Sequence, residues 1–215
     1  MVNGLPRSRC MHRDTLAGMS ESRPYHHGNL RAVLLVNAER ALREKGADAL
    51  SLRELAREAD VSARAPVRHF KDKQALLNAL VLRGYERLGH ALQAADDRGA
   101  PLELRLSAFA QAYLGFAVDN SELLELMYAR KHDPDASEQM TTAIDRTMGG
   151  LRRVIMEAQK RGEIIEDDPE RLTLVVAAGL HGVAALTVNG ALARQAGMDG
   201  ARDVVHHLLR GLTPR

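Results

Sequence analysis

Tryptophan is absent from this sequence, and aromatic residues make up only 3% of it. The core must therefore be built from Leu, Ala, Val and Met. That palette suits helices, where unbranched side chains lose little rotamer freedom. A single cysteine, Cys10, rules out a disulfide framework within the chain and fits a reducing cytoplasm. Residues 1–22 lack the apolar core of a secretion signal and read as an unstructured tail, with Met11 and Met19 as alternative starts. No strand-like alternation of useful length occurs, and no internal repeat. Phosphate loop, nucleophile elbow and metalloprotease motifs are missing too, so no enzymatic role, cofactor or metal is expected. The pairs His26-His27 and His206-His207 diverge on a helix, and neither makes a metal site. One stretch, Leu172 to Ala193, runs 22 residues without a charge, long enough to span a bilayer. It contains His181, Asn189 and two threonines but no aromatic belt, so it reads as a helix buried on several faces of a soluble body rather than a membrane span.

What is present is 45% apolar and 27% charged, the balance of a folded domain. The charge is unevenly placed. Met1 to Lys73 carries 14 Lys/Arg against 9 Asp/Glu, whereas the remainder carries 16 against 19. A basic head on a mildly acidic body suggests that the head meets a polyanion.

Helical periodicity runs almost throughout, and the expected class is all-α. Leu30, Val33, Leu34, Ala38, Ala41 and Leu42 fall on one face, between an Asn29 cap and a Gly46 stop. Ser51-Leu-Arg-Glu54 has the form of a capping box opening a short second helix. Asp60-Val61 turns the chain, Ser62 caps a third helix closed by Phe70, and Asp72 caps a longer fourth. Further helices are expected near 101–118, 121–131, 136–161, 169–193 and 199–211. Asp168-Pro169-Glu170 is a strong start, and Gly162 after Lys160-Arg161 an equally good stop.

Residues 51–70 carry the functional signal. Two short helices around a tight turn form a helix-turn-helix, whose second helix enters the major groove. Ser62, Arg64, Arg68 and His69 are its polar side chains; Val61, Ala65 and Phe70 are placed to pack inward. No acid occurs from Val61 to Lys71, as a phosphate-facing surface requires. Pro66 is awkward there, because it cannot donate the first helical hydrogen bond and crowds the Ser62 carbonyl. A recognition helix with a distorted first turn is the expectation.

Residues 24–77 read Pro-Tyr-His-His-Gly-Asn-Leu, then Leu-Ser-Leu-Arg-Glu-Leu-Ala, Val-Ser, and Ala-Pro-Val-Arg-His-Phe-Lys-Asp-Lys-Gln-Ala-Leu-Leu. This resembles the N-terminal domain of tetracycline-repressor-like (TetR-type) transcriptional regulators, in the branch with a Tyr-His-His-Gly opening and Ala-Pro in the third helix. Leu180-His181-Gly182 resembles that branch's C-terminal Trp-His-Gly signature. The resemblance is dense over about fifty residues and thin beyond Leu88.

The resemblance implies a helix-turn-helix head at 23–70 and a ligand-binding and dimerisation body at 71–215. It places Ser62, Ala63, Arg64, Val67, Arg68 and His69 near bases and phosphates, and Lys73 on phosphate at the start of the fourth helix. Ser51 and Arg53 would touch the backbone, as would Tyr25, His26 and His27 from the preceding arm. The sequence departs from the family where Asp60 replaces Gly, Val67 replaces Tyr and Leu180 replaces Trp. The implied function is a homodimeric repressor that a small, largely apolar ligand releases from a palindromic duplex operator. The alternative is a helical adaptor that binds protein. The Phe109, Tyr113, Phe116, Met127 and Tyr128 stripe reads as core first and ligand-pocket lining second, with His181 as a polar anchor. Gly179, Gly182, Ala184 and Ala185 would allow close backbone approach at a four-helix dimer interface built from about 169–211.

Overall fold

Gly46 and Gly162 end their helices at φ +77° and +68°, the left-handed stops their positions suggest. A computed structural model describes residues 30–130 and 137–214, and every regular element among them is helical. Helices α1 (Leu30–Lys45) and α2 (Leu52–Glu58) are followed by a 3-10 turn at Pro66–Arg68. Beyond it come α3 (Lys73–Ala95), α4 (Leu102–Asp119), α5 (Ser121–Ala129), α6 (Glu138–Lys160), α7 (Pro169–Val188) and α8 (Arg194–Leu212).

Capping explains most boundaries. Asp72 accepts from the Ala75 amide at 2.8 Å, Ser137 from Met140 at 3.2 Å, and Asp168 from Glu170 at 2.9 Å ahead of Pro169. Ser51 departs from the capping-box expectation. Its backbone is extended and its carbonyl takes the Leu55 amide at 3.0 Å, but its side chain caps nothing. Helix α7 ends at Val188 instead of Ala193, because Asn189-Gly190 supplies a left-handed stop, with Gly190 at φ +75°. Helix α8 starts at Arg194, earlier than the glycines of its first turns suggest. Gly197 is needed there: a Cβ at that position would lie 2.2 Å from Thr187 Oγ1, so α7 and α8 could not approach as they do.

The head is α1, α2 and the 3-10 turn around Leu34, Ala38, Leu42, Leu55 and Phe70. Helix α3 leaves the head and enters the body, packing on α4, α5 and α6, while α4 is clasped by α7 and α8. Its 23 residues span about 34 Å at 1.5 Å each. Polar contacts tie head to body along this helix. Glu39 of α1 pairs with Arg87, whose other amino group donates to Asn120 Oδ1 at 2.6 Å between α4 and α5. Just after α5, Arg130 donates to Asn78 at 2.9 Å and Gln74 at 2.6 Å. At its far end, Arg105 of α4 is only 2% exposed and bridges Asp96 to Glu157 of α6. Helix α7 is long and apolar enough to cross a membrane by composition. Its Leu172, Val176, Leu180 and Ala184 are buried in the body.

Candidate nucleic-acid interface and body groove

The turn after α2 is a Schellman motif. Val61 donates to the Ala56 carbonyl at 3.0 Å and Asp60 to Arg57 at 3.2 Å, with Asp60 itself at φ +53°. An aspartate tolerates this left-handed conformation better than most residues, so the turn forms without glycine. The segment after it differs from the expected helix. Lacking an N–H, Pro66 cannot bond to the Ser62 carbonyl, which instead accepts from the Ala65 amide at 2.9 Å. The chain turns at 63–65 and makes one 3-10 turn at 66–68, with both His69 and Phe70 amides on the Pro66 carbonyl at 2.9 Å. Ser62 therefore caps no α-helix.

This short segment is nonetheless firmly seated. Pro66 and Phe70 are buried, and the Arg31 guanidinium lies 5.3 Å over the Phe70 ring. Between and before these anchors, Ser62, Ala63, Arg64, Val67, Arg68 and His69 are all exposed, and no acid interrupts them. Arg53 is exposed on α2 and Ser51 half-buried at its start. Lys73 is less available than the arginines, since its ammonium donates to the Asp48 carbonyl at 2.7 Å. The arm residues Tyr25, His26 and His27 lie outside the described residues. An exposed, acid-free segment carrying two arginines and anchored by a buried proline and phenylalanine is suited to phosphate and base edges.

In the body, three of the six expected pocket residues come together. The Tyr113 hydroxyl lies 2.8 Å from His181 Nδ1 and 3.2 Å from the Tyr128 hydroxyl, and the Tyr128 ring stacks on the imidazole at 4.2 Å. Burial holds His181 below the ordinary imidazole range and pushes the Tyr113 phenol well above its own. The others stand apart. Phe116 is buried beneath the Arg87 guanidinium, and Met127 fills the space left by Gly84. Phe109 turns to another face, where its ring reaches Gly150 of α6.

That other face is an open groove of about 1370 Å³ between α3 and α6. Tyr85, Leu92 and Phe109 contribute to its lining; Gly149 faces open space, whereas Gly89 lets α3 approach Thr147 of α6 and Gly150 lies against the Phe109 ring. Charged side chains also line it: Glu86, Glu138 and Asp145 as well as Arg98, Arg153 and Lys160. The sequence reading missed these cations, although Arg146, Arg153 and Lys160 repeat at seven-residue spacing along α6.

Of the expected dimer residues, Gly179 makes its close approach inside the protomer, against Val204 and Leu208 of α8. Gly182 is exposed with open space before it, and Ala185 is half-buried. Both belong to an outward stripe of α7 with Leu174 at 65% and Leu186 at 50% exposed. Among the described residues no cluster of three potential ligands could hold a metal ion.

Two family models match the chain. Residues 34–80 match "Bacterial regulatory proteins, tetR family", and residues 106–212 match "Tetracyclin repressor-like, C-terminal domain". No curated protein matches it. Among solved structures, a protein of unknown function from Rhodococcus sp. RHA1 is 43% identical, with a TM-score of 0.82 over 89% of this chain and 100% of that one. A tetR-family bacterial regulatory protein from Rhodococcus RHA1 shares the fold at 22% identity, covering 87% and 98% of the two chains with a TM-score of 0.69. So does the TetR family transcriptional regulator PfmR from Thermus thermophilus, at 23% identity, 84% and 99% coverage and a TM-score of 0.66.

Proposed function

The chain belongs to the TetR family of bacterial regulatory proteins and is a DNA-binding transcriptional regulator; from that premise we propose that it acts as a homodimeric cytoplasmic repressor that a small molecule releases from a palindromic operator. The observation that carries this reading is the path of α3. Its first turn, capped by Asp72 and bearing Lys73, follows in the chain directly after the segment that exposes Arg64, Arg68 and His69. Its middle and last turns, from Leu82 to Gln93, line the body groove. A ligand in that groove touches the same rigid element that positions the head, so groove occupancy and head placement are linked through one helix.

Two heads are needed because one short recognition segment offers little surface for tight binding. The exposed apolar stripe of α7, with Leu174, Ala178, Gly182 and Leu186 outward, supplies a face for self-association. The body must prefer different head separations with and without ligand, since a ligand that binds both states equally shifts nothing. A coupling of about 1–3 kcal/mol gives a 5- to 150-fold fall in operator affinity.

The test is a mobility-shift titration with DNA flanking the protein's own gene, at several salt concentrations. Sequence-specific, salt-dependent shifts are expected, with two protomers per site. A protein that shifts no promoter fragment would be better described as a helical adaptor.

A further inference from the structure

Resting on the reading of the α3–α6 groove as the effector site, we propose that its ligand is an extended amphiphile with an anionic head, rather than a compact apolar molecule. Groove residues run from Glu138 to Lys160, the whole of α6, which is about 34 Å at 1.5 Å per residue. A small apolar guest would leave most of this length to water.

The two helices run in the same direction along the groove. Thr147 of α6 donates to the Tyr85 carbonyl at 3.1 Å near the middle of both, and Arg105 links Asp96 to Glu157 near their C-terminal ends. Charge is sorted along that axis. Glu138 lines the first end and Glu86, Asp145 and Arg146 the middle, whereas Arg98, Arg152, Arg153 and Lys160 line the second, where Arg152 is paired with Glu170. Acids occur at the second end too, but Asp96 and Glu157 are both engaged by buried Arg105. Arg98, Arg153 and Lys160 have no acidic partner among the described residues, leaving this end with a surplus of positive charge. Complementing the α6 dipole accounts for Glu138 and Lys160, at the helix ends. It does not account for Arg98, which comes from the loop after α3, nor for Arg153 two turns before the α6 terminus.

Along the groove, Leu82, Leu92, Phe109 and Met156 supply the apolar part of a lining that also carries His90, Gln93 and Thr142, and Gly149 opens onto free space. A carboxylate, sulfate or phosphate placed on Arg98, Arg153 and Lys160 would gain charge-assisted hydrogen bonds, with the apolar chain laid toward Phe109. Arginine suits such a head group because its planar fork bonds two oxygens at once.

The experiment uses the full chain and three probes of equal length, decanoate, decanol and decylamine, below their aggregation concentrations in calorimetric titration. Decanoate should bind about tenfold more tightly than decanol, and decylamine more weakly than either. The exposed triple variant Arg98→Gln, Arg153→Gln, Lys160→Gln should lose the preference for decanoate while still binding decanol. Gly150→Leu, which fills the space beside Phe109, should weaken both. Equal affinity for decanoate and decanol, a preference that survives the triple variant, or no binding of any probe would overturn the proposal. The regulatory reading is scored separately, by operator release. An uncharged compound that frees DNA would retain that reading while sinking this one. Decanoate that binds as described but leaves the operator complex intact would do the reverse.

Discussion

The Tyr113 hydroxyl and His181 Nδ1 are 2.8 Å apart, joining α4 to α7 across the body with the Tyr128 ring stacked on the same imidazole. Burial favours a neutral histidine, whose Nδ1 accepts from the Tyr113 hydroxyl or donates to it according to tautomer. Burial lowers the His181 pKa from 6.5. The unfolded chain therefore takes up a proton at that site before the folded one does. The associated stability is complete above pH 6.5 and is lost as pH falls through the lower folded value. Urea midpoints should decline on acidification through that window, and His181→Gln should show a shallower decline. Identical profiles for the two proteins would refute the assignment.

At the alkaline end the sign reverses. Burial pushes the Tyr85 phenol from 10.0 up to about 12, and the Tyr113 phenol rises in the same direction. The unfolded chain ionises first, so stability should drop between pH 10 and pH 12. Tyr85→Phe also removes the 3.3 Å bond to the Met127 carbonyl, and its own midpoint should fall less over this interval. Ultraviolet titration of the phenolates checks this directly.

Arg105 tests the far end of α3. Its guanidinium meets Asp96 with two nitrogens, at 2.8 and 3.2 Å, and Glu157 with a third at 2.9 Å. Arg105→Ala leaves a buried carboxylate uncompensated and should cost about 3–5 kcal/mol. Asp96→Asn should cost less, since Glu157 still balances the cation. A double-mutant cycle in urea would show strong coupling between the two positions; additive losses would contradict the geometry.

Much of this architecture is legible from residue order, and the departures have local causes. Asp72, Asp168, Gly46 and Gly162 act as their residue types suggest, because capping and left-handed stops are short-range effects. Pro66 is visibly awkward in the sequence, yet the recognition segment goes further and forms a 3-10 turn rather than a helix with one distorted turn. Gly197 argues against a helix by residue type alone, although tertiary contact with Thr187 is what demands it. The groove is hidden for a similar reason: Glu86, Arg98 and Arg153 are distant in sequence and meet only when α3 lies along α6. The Tyr113–His181 pair is partly visible, as two residues of an expected set of six.

Arg68 and Lys73 should respond differently to truncation. Arg68 is exposed, so Arg68→Ala should leave stability within about 0.5 kcal/mol and reduce the slope of log affinity against log salt by about one. Lys73 also holds the Asp48 carbonyl at 2.7 Å. Lys73→Ala should therefore lower the urea midpoint as well as operator affinity. If both variants changed only the salt slope, the Asp48 contact would be of no consequence.

The outward stripe of α7 predicts the effect of charge on assembly. Leu186→Glu or Ala185→Glu should give monomers by light scattering at micromolar concentration, with poor operator affinity, because two acids would face each other across a two-fold axis. Leu186 is half exposed in the protomer, so its replacement should spare the monomer fold. A wild-type protein that is already monomeric at that concentration would refute the dimer model itself.

Val67 concerns sequence reading. It is 52% exposed between the exposed Ala63–Arg64 and Arg68–His69 positions, the largest apolar side chain on that surface. A valine cannot hold phosphate through a hydroxyl as a tyrosine would, but its methyl groups can pack on the 5-methyl of thymine in the major groove. Replacing the contacted thymine by deoxyuridine in a selected operator should cost about 0.8 kcal/mol for the wild type, the worth of one buried methylene-sized group. Val67→Ala should bind the two duplexes with nearly equal affinity. Val67→Tyr should instead raise affinity for all sequences without steepening the salt dependence, since a neutral hydroxyl displaces no counterion. A deoxyuridine penalty of the same size in wild type and Val67→Ala would show that the methyl is read by another residue.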